Sequence, residues 1–340
     1  MPNNPHYRNF VYPPPRAITS SLEVFEERSK NQRPIFFGIP AIDKRVNPPV
    51  PGDLVVIAGR PGMAKTLRMV YEAKNASRQL HQMGASSKEV VIYATWETMV
   101  EEFVGIVSAG HSGYTLSDIG RGKADLMKIR KAAAELLDDR IIVVGRGKAN
   151  IGDPDLSVLD LEQILIDLLS DGYSVVSVYV DYLQLIPPMY TVRNHNESAK
   201  TLYISENLQY LKKLAMRYNT RFSVAVQAGR QVDDRLAKMP GLNDAQWTSA
   251  IEQACDKFFG QTIPAKYMEI GKKIVNVGGY NYECKPTTLL IQMFKQRWGV
   301  CDSSDFWAVE FNPVLLTISP QEPLEKYVPG VDDEEQELPY

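Results

Sequence analysis

The chain has 340 residues, 44% hydrophobic and 23% charged, with a formal net charge of −3. That composition fits one large α/β domain with extensions better than two full domains, and its slightly acidic balance argues against a dedicated nucleic-acid coat. No apolar run approaches the roughly twenty residues of a membrane span, and Met1-Pro2-Asn3-Asn4-Pro5 has neither the basic start nor the apolar core of a secretory signal.

Residues 1–17 are rich in Pro and Asn, and Pro13-Pro14-Pro15 predicts an extended path. Ala17 through Lys30 then shows a helical pattern in Leu22, Val24, Phe25 and Arg28, and Ser20 with Glu23 three residues on matches a capping box. An amphipathic helix of this kind needs a surface on which to bury Leu22 and Phe25, its own core or a second copy. The expected divisions are an extended tail over 1–17, a linker helix and connection over 18–45, a core over 46–320 and an acidic tail over 321–340. In that tail Asp332-Asp333-Glu334-Glu335-Gln336-Glu337 reads as a solvated charge run.

Leu54-Val55-Val56-Ile57-Ala58 predicts a buried strand that runs into Gly59-Arg60-Pro61-Gly62-Met63-Ala64-Lys65-Thr66. A strand, a loop of small residues and Lys-Thr opening a helix form a nucleotide phosphate cradle. The first N–H groups of the helix and its dipole both favour an anion. Lys65 reaches the outer phosphates and the Thr66 hydroxyl completes a magnesium shell. The usual Gly-x-x-x-x-Gly-Lys-Thr spacing keeps Gly59 but has Ala64 where the second Gly belongs, and its methyl group hinders close backbone approach.

Two further β-branched runs end in carboxylates: Val90–Thr95 leads through Trp96 to Glu97, and Val175–Val180 leads to Asp181. Such runs suit strands buried on both faces of a parallel sheet, whose ligands sit beyond the strand carboxyl ends. Asp181 then suits the outer magnesium shell, and Glu97 suits orienting or deprotonating an attacking water. Each acid would equally cap a following helix. The polar stretch from Met189 to Lys200 holds Arg193 and His195, and His195 has no partner at ligand spacing.

Arg221–Val226 is a further strand, ending in Gln227, an amide able to sense a γ-phosphate. The connection from Ala228 to Ala250 is long, without clear secondary structure, and carries Arg230, Arg235 and Lys238 beside Asp233 and Asp234. A loop of that kind is functional or mobile. Gln246-Trp247 lies within it, and Trp247 would either pack or stack on a base. The last predicted strand, Thr287–Phe294, enters Lys295-Gln296-Arg297, which puts Lys295 and Arg297 on one face. They suit either phosphate contact on a neighbouring subunit's nucleotide or a solvated sheet edge. Cys255, Cys284 and Cys301 are odd in number and lack metal-ligand spacing, as in reduced cytoplasmic proteins.

The order of these pieces resembles the C-terminal motor domain of DnaB-family replicative helicases. The matching stretches are Arg60–Thr66, Glu97-Thr98-Met99, Asp181-Tyr182-Leu183-Gln184-Leu185, Gln227-Ala228-Gly229-Arg230, Ile251–Asp256 and Lys295-Gln296-Arg297-Trp298-Gly299. The resemblance implies an α/β fold: a RecA-like P-loop ATPase core with a mainly parallel central sheet flanked by helices, plus an N-terminal linker helix docking on the adjacent subunit. It implies ATP and Mg2+, with residues 59–66 as the cradle, Lys65 and Thr66 on phosphate and metal, and Asp181 on the metal. It also implies Glu97 as catalytic carboxylate, Gln227 as γ-phosphate sensor, and Lys295 with Arg297 acting across a subunit interface. The implied partners are single-stranded DNA, further copies in a hexamer, and a primase or helicase loader, in the cytoplasm and without a membrane. Arg230, Arg235, Lys238, Gln246 and Trp247 are the expected DNA contacts, although Gln246-Trp247 stands where the family has Arg-Glu. Lacking the family's N-terminal helical domain, the chain looks like the short plasmid or phage-type helicases. The competing expectation is a non-translocating RecA-like ATPase, a loader, filament former or switch.

Overall fold

The computed structural model describes residues 13–30, 33–109, 111–137, 140–190, 197–235, 238–244 and 248–331. By backbone contacts it divides into residues 1–34 and residues 35–340. In the first unit a helix, α1 (Pro14–Lys30), starts inside the triple proline rather than after it. Pro14 and Pro15 occupy the first turn, where a missing N–H costs no hydrogen bond and the fixed φ suits a helix. The stretch from Pro14 to Ala17, expected to be extended, is therefore helix, and residues 1–12 lie outside the described residues. Ser20 lies inside the helix and is not its cap, and the neighbouring hydroxyls bond carbonyls one turn back, Thr19 to Pro15 at 3.0 Å and Ser21 to Ala17 at 2.8 Å.

The core begins at residue 35, not 46. Phe37, Ile39 and Ile42 are buried, the last within the short α2 (Pro40–Asp43). Asp43 accepts backbone hydrogen bonds from Phe37 at 2.9 Å and Gly38 at 2.8 Å. Burial nevertheless raises its pKa to about 6.

Among the described residues nine strands form the main sheet: β1 (Leu54–Gly59), β2 (Glu89–Thr95), β3 (Ile141–Gly145), β4 (Ser174–Asp181), β5 (Arg221–Gln227), β6 (Lys257–Thr262), then β9 (Thr288–Gln296), β10 (Phe306–Asn312) and β11 (Thr317–Pro320). Between β6 and β9 the chain forms β7 (Lys273–Val277) and β8 (Tyr280–Glu283), which make a small second sheet with β12 (Glu325–Lys326). The spatial order of the large sheet is β11-β10-β9-β6-β1-β5-β4-β2-β3. Its six strands from β6 to β3 are parallel, whereas β9 runs against β6, β10 against β9 and β11 against β10. A mainly parallel central sheet was expected, and it is present with an antiparallel margin.

Successive side chains of these strands enter opposite layers, as the period of two demands. Val56, Ala58, Ile92, Val180 and Val224 face one cluster with Leu161 and Leu165 of α7 (Val158–Ser170) and Leu208 and Leu211 of α8 (Glu197–Arg217). Ile57, Val91, Tyr93 and Ala225 face the other, with Met69, Ala73 and Leu80 of α3 (Lys65–Gln82) and Phe103 and Val107 of α4 (Val100–Ala109). Each fully buried Leu, Ile, Val, Met or Phe contributes about 1.5–3 kcal/mol. Two-sided burial is why the strands read as unbroken apolar runs. Two short elements, α5 (Leu116–Gly120) and α6 (Leu126–Leu137), follow α4, and α9 (Thr248–Ala254) precedes β6. The chain from Gln321 to Lys326 still belongs to the fold, because Gln321 is buried and bonds Glu283 O at 2.7 Å and Glu325–Lys326 form β12. The acidic run from 332 lies outside the described residues.

A candidate nucleotide site at the carboxyl ends of the strands

β1 delivers the cradle. Gly59 ends the strand beside Gln227 of β5, and α3 begins at Lys65 after Ala64. The first turn of α3 holds no acidic residue and Ala64 supplies no side-chain cap, leaving the helix start to an anion. Ala64 adopts φ 56° and ψ 27°, the left-handed conformation natural to the glycine it replaces. For an L-residue this costs roughly 1–2 kcal/mol. The departure read from sequence as a steric hindrance is therefore first a backbone strain.

The rest of the loop is tied down. Arg60 forms a two-pronged ion pair with Asp233, at 2.9 and 2.7 Å, and donates to Ala228 O. The Lys65 ammonium folds back onto Gly59 O at 2.8 Å and Arg60 O at 3.0 Å. Burial lowers the Lys65 pKa to about 8, with Asp181 and Glu97 opposing the shift.

A cavity of about 710 Å³ brings the predicted residues together. Pro61, Gly62, Ala64, Lys65, Thr66, Glu97, Asp181 and Gln227 all line it. Asp181 is buried, and its Oδ2 accepts from the Tyr93 hydroxyl at 2.9 Å while Oδ1 has no hydrogen-bond partner. Burial raises the Asp181 pKa, against the pull of Thr66, Tyr93 and Lys65. A buried carboxylate oxygen without a donor, facing a lysine and a threonine, is suited to a hard cation. Glu97 sits on the turn after β2, its pKa raised by partial burial and then by Asp181.

Gln227 is held by a residue that sequence reasoning did not single out. Gln184 donates to Gln227 O and accepts from Gln227 N, both at 3.1 Å. The signal was present, since Gln184 belongs to the Asp-Tyr-Leu-Gln-Leu stretch. Tyr93, Tyr114, Thr115 and Leu316 were also missed. The first is an interior strand residue, and the others reach the cavity from the α4–α5 connection and the β10–β11 turn.

Lys295 and Arg297 do not join this cavity. Lys295 lies at the end of β9 and Arg297 just beyond it; β9 runs against β6, and Arg297 N bonds the O of Asp256, which immediately precedes β6. Asp256 in turn pairs with Leu54, the first residue of β1. The pair therefore lies a whole strand from Gly59, about 16 Å at the usual rise. Lys295 Nζ donates to Cys255 O at 2.8 Å and to Glu252 O. Arg297 donates to Asp256 Oδ1 at 3.1 Å and remains substantially exposed. Two motifs that the sequence presents separately, Ile251–Asp256 and Lys295–Arg297, thus form one cluster.

The connection after β5 is more ordered than expected, with short 3-10 turns at Arg230–Asp234 and Leu242–Asp244. Arg235 is tied two-pronged to buried Asp244, and Lys238 Nζ donates to Asp233 O at 2.6 Å. Arg230 is exposed. Gln246 and Trp247 lie outside the described residues, as do Arg193 and His195. Among the described residues no His, Cys, Asp and Glu cluster suits a metal, and no helix is long and apolar enough to cross a membrane. The three cysteines are free thiols.

Residues 35–305 match the profile of the DnaB-like helicase C terminal domain. The chain belongs to that family. Similar proteins include the replicative DNA helicase DnaB of Mycoplasma genitalium, 26% identical over 210 residues, which covers 61% of this chain and 41% of the relative. A probable plasmid replicative DNA helicase of Chlamydia trachomatis is 27% identical over 233 residues, covering 67% and 48%. The chain thus spans somewhat under half the length of these curated relatives. In fold it is similar to the ATPase domain of G40P, with a TM-score of 0.68 at 21% identity, covering 89% of this chain and 98% of that one. A DnaB-like replicative helicase solved in a study of its interactions with primase gives the same TM-score and identity, with 66% of that chain covered. The DnaB-like assignment agrees with the RecA-like α/β fold seen here.

Proposed function

We propose that the chain is the motor of an ATP-driven, ring-forming replicative DNA helicase that moves along single-stranded DNA and unwinds duplex. The observation that carries this reading is the placement of the cavity residues and the basic pair at opposite ends of the sheet. The cradle and both acids lie at one end of the sheet, and the exposed Arg297 and half-buried Lys295 lie at the other. Copies stacked head to tail would bring one half against the other, and such heterologous contacts form a ring where the rotation between copies closes.

In this reading residues 59–66 cradle the phosphates of ATP, and Lys65 turns from the carbonyls of Gly59 and Arg60 to the outer phosphate oxygens. Thr66 and Asp181 would hold Mg2+, which when bound neutralises charge on those oxygens. Glu97 orients the attacking water and takes its proton, and its raised pKa brings it nearer the working pH of a general base. Gln227 reports the γ-phosphate through its clamp to Gln184 and through the strand end that leads directly to Arg230. Arg230, Lys238, Gln246 and Trp247 are the proposed DNA contacts, whereas Arg235 first has to leave Asp244. The α1 helix links neighbouring copies in a cytoplasmic hexamer, and a primase or loader is its further partner.

The test is strand displacement of a forked duplex with ATP and Mg2+, run beside Lys65→Ala. Unwinding by the wild type alone supports the motor. DNA-stimulated ATP turnover without unwinding would instead support a non-translocating regulatory ATPase, the reading favoured by the engagement of Arg235 with Asp244.

A further inference from the structure

The end of β6 grips the phosphate loop at one residue. Gln261 is fully buried, and its Nε2 donates to Met63 O at 2.6 Å. The same stretch also holds the Met63 side chain, whose sulfur accepts from Ile263 N at 3.4 Å. The orientation of the Gln261 amide is set from behind. Arg68 is buried in α3 and can only donate, and its Nη1 approaches Gln261 Oε1 at 3.4 Å while Nε is paired with Glu72 at 2.7 Å. The donor end of the amide therefore faces the loop.

In a trans peptide the carbonyl and the following N–H point in opposite directions. Holding Met63 O against β6 turns the Ala64 N–H away from β6. Ala64 lines the nucleotide cavity and Met63 does not. At the same peptide Ala64 is strained at φ 56°. If released, it would relax toward negative φ, rotating the 63–64 peptide and carrying that N–H off the cavity. A glycine at 64 would feel no such pull.

We propose that Gln261 is a positioning residue for nucleotide binding, holding the 63–64 peptide in its phosphate-facing orientation against the left-handed strain of Ala64. The proposal rests on the cavity being the nucleotide site. It makes Gln261 and Ala64 energetically coupled, so that Gln261 matters because residue 64 is not glycine.

The experiment is a double-mutant cycle on the full chain, read as affinity for a fluorescent ATP analogue with Mg2+ and as the KM and kcat of ATP turnover. Gln261→Met removes the donor at similar volume. Its expected effect is a loss of affinity of about tenfold, about 1.4 kcal/mol, with kcat at saturation falling far less. In Ala64→Gly/Gln261→Met most of that affinity returns. An equal loss in both backgrounds, or no loss in Gln261→Met, overturns the proposal. Should Gln261→Met fail to fold, as shown by its thermal melt, Gln261→Asn replaces it. That variant keeps the amide but falls a methylene short of Met63 O, so the same loss and the same rescue are required. Wild-type chain that does not bind the analogue, or Lys65→Ala that binds it equally well, would instead remove the nucleotide site itself.

Discussion

The two ends of the central sheet carry complementary chemistry in different states of readiness. At the carboxyl ends of β1, β2, β4 and β5 the groups converge on one cavity, with Asp181 Oδ1 unpartnered and the Lys65 ammonium held only by loop carbonyls. At the opposite end Lys295 and Arg297 are held on the carbonyls of Glu252, Gln253 and Cys255 and on Asp256. One end is built to receive a ligand and the other to present charge outward. Within one chain neither completes the other, because a whole strand length separates them. On the proposed reading a second copy completes the site.

The comparison breaks most sharply at Arg297. Arg297→Ala is expected to cut ATP turnover by roughly 10³–10⁵, as loss of a trans-acting arginine does, while nucleotide affinity in the isolated subunit stays near wild type. Steady-state turnover beside equilibrium binding checks this, and a large loss of binding in the monomer would place Arg297 in its own subunit's site. Glu97→Gln keeps the shape of the other end but removes its base. Turnover should fall by about 10² to 10⁴ with the analogue still bound, as measured in single-turnover assays.

A gentler probe is pH. The Lys65 pKa, lowered to about 8, makes the free site lose its cation as pH rises through 8, well below the usual lysine range. Affinity for nucleotide should fall above pH 8, by at most about tenfold per unit, and binding at pH 9 should take up a proton. Calorimetry in buffers of different ionisation enthalpy measures that uptake, and Lys65→Met should abolish it. The sign for stability follows from the same shift. Between pH 8 and 10.5 the unfolded chain binds the extra proton, so the free protein gains stability as pH rises across that window. The smallest expected effect separates two basic residues of one connection. Arg235→Ala strands buried Asp244 and should cost about 1–3 kcal/mol in chemical denaturation. Arg230→Ala should leave stability within about 0.5 kcal/mol and weaken single-stranded DNA binding instead.

The contrast between the ends also explains what could be read from the sequence. Glu97 and Asp181 were legible because β-branched runs buried on both faces announce strands, and ligands in parallel sheets gather at their carboxyl ends. The partnership of Lys295 and Arg297 with Asp256 was not, because it depends on β9 reversing direction beside β6, a pairing with no local signature. The antiparallel margin and the small second sheet escaped for the same reason. Gln261 is the last residue but one of a strand of mixed polarity, Lys257-Phe258-Phe259-Gly260-Gln261-Thr262. Its Gly260 is required because a Cβ there would lie 2.0 Å from Pro240 O, a contact made only in the folded chain. Arg235 and Asp244 sit nine residues apart in an apparently formless loop, and nothing in their spacing shows that one is buried and holds the other. At the N-terminus the triple proline was misread, because proline opens a helix as readily as it extends a chain.

Subunit mixing asks the decisive question. Lys65→Ala and Arg297→Ala chains, each prepared alone, should hydrolyse almost no ATP. Unfolded together and co-assembled in equal amounts, they should regain turnover at the interfaces pairing an intact cradle with an intact arginine, about a quarter of those in a randomly mixed ring. A mixture as inert as its two parents would show that the basic pair and the cradle do not meet across subunits.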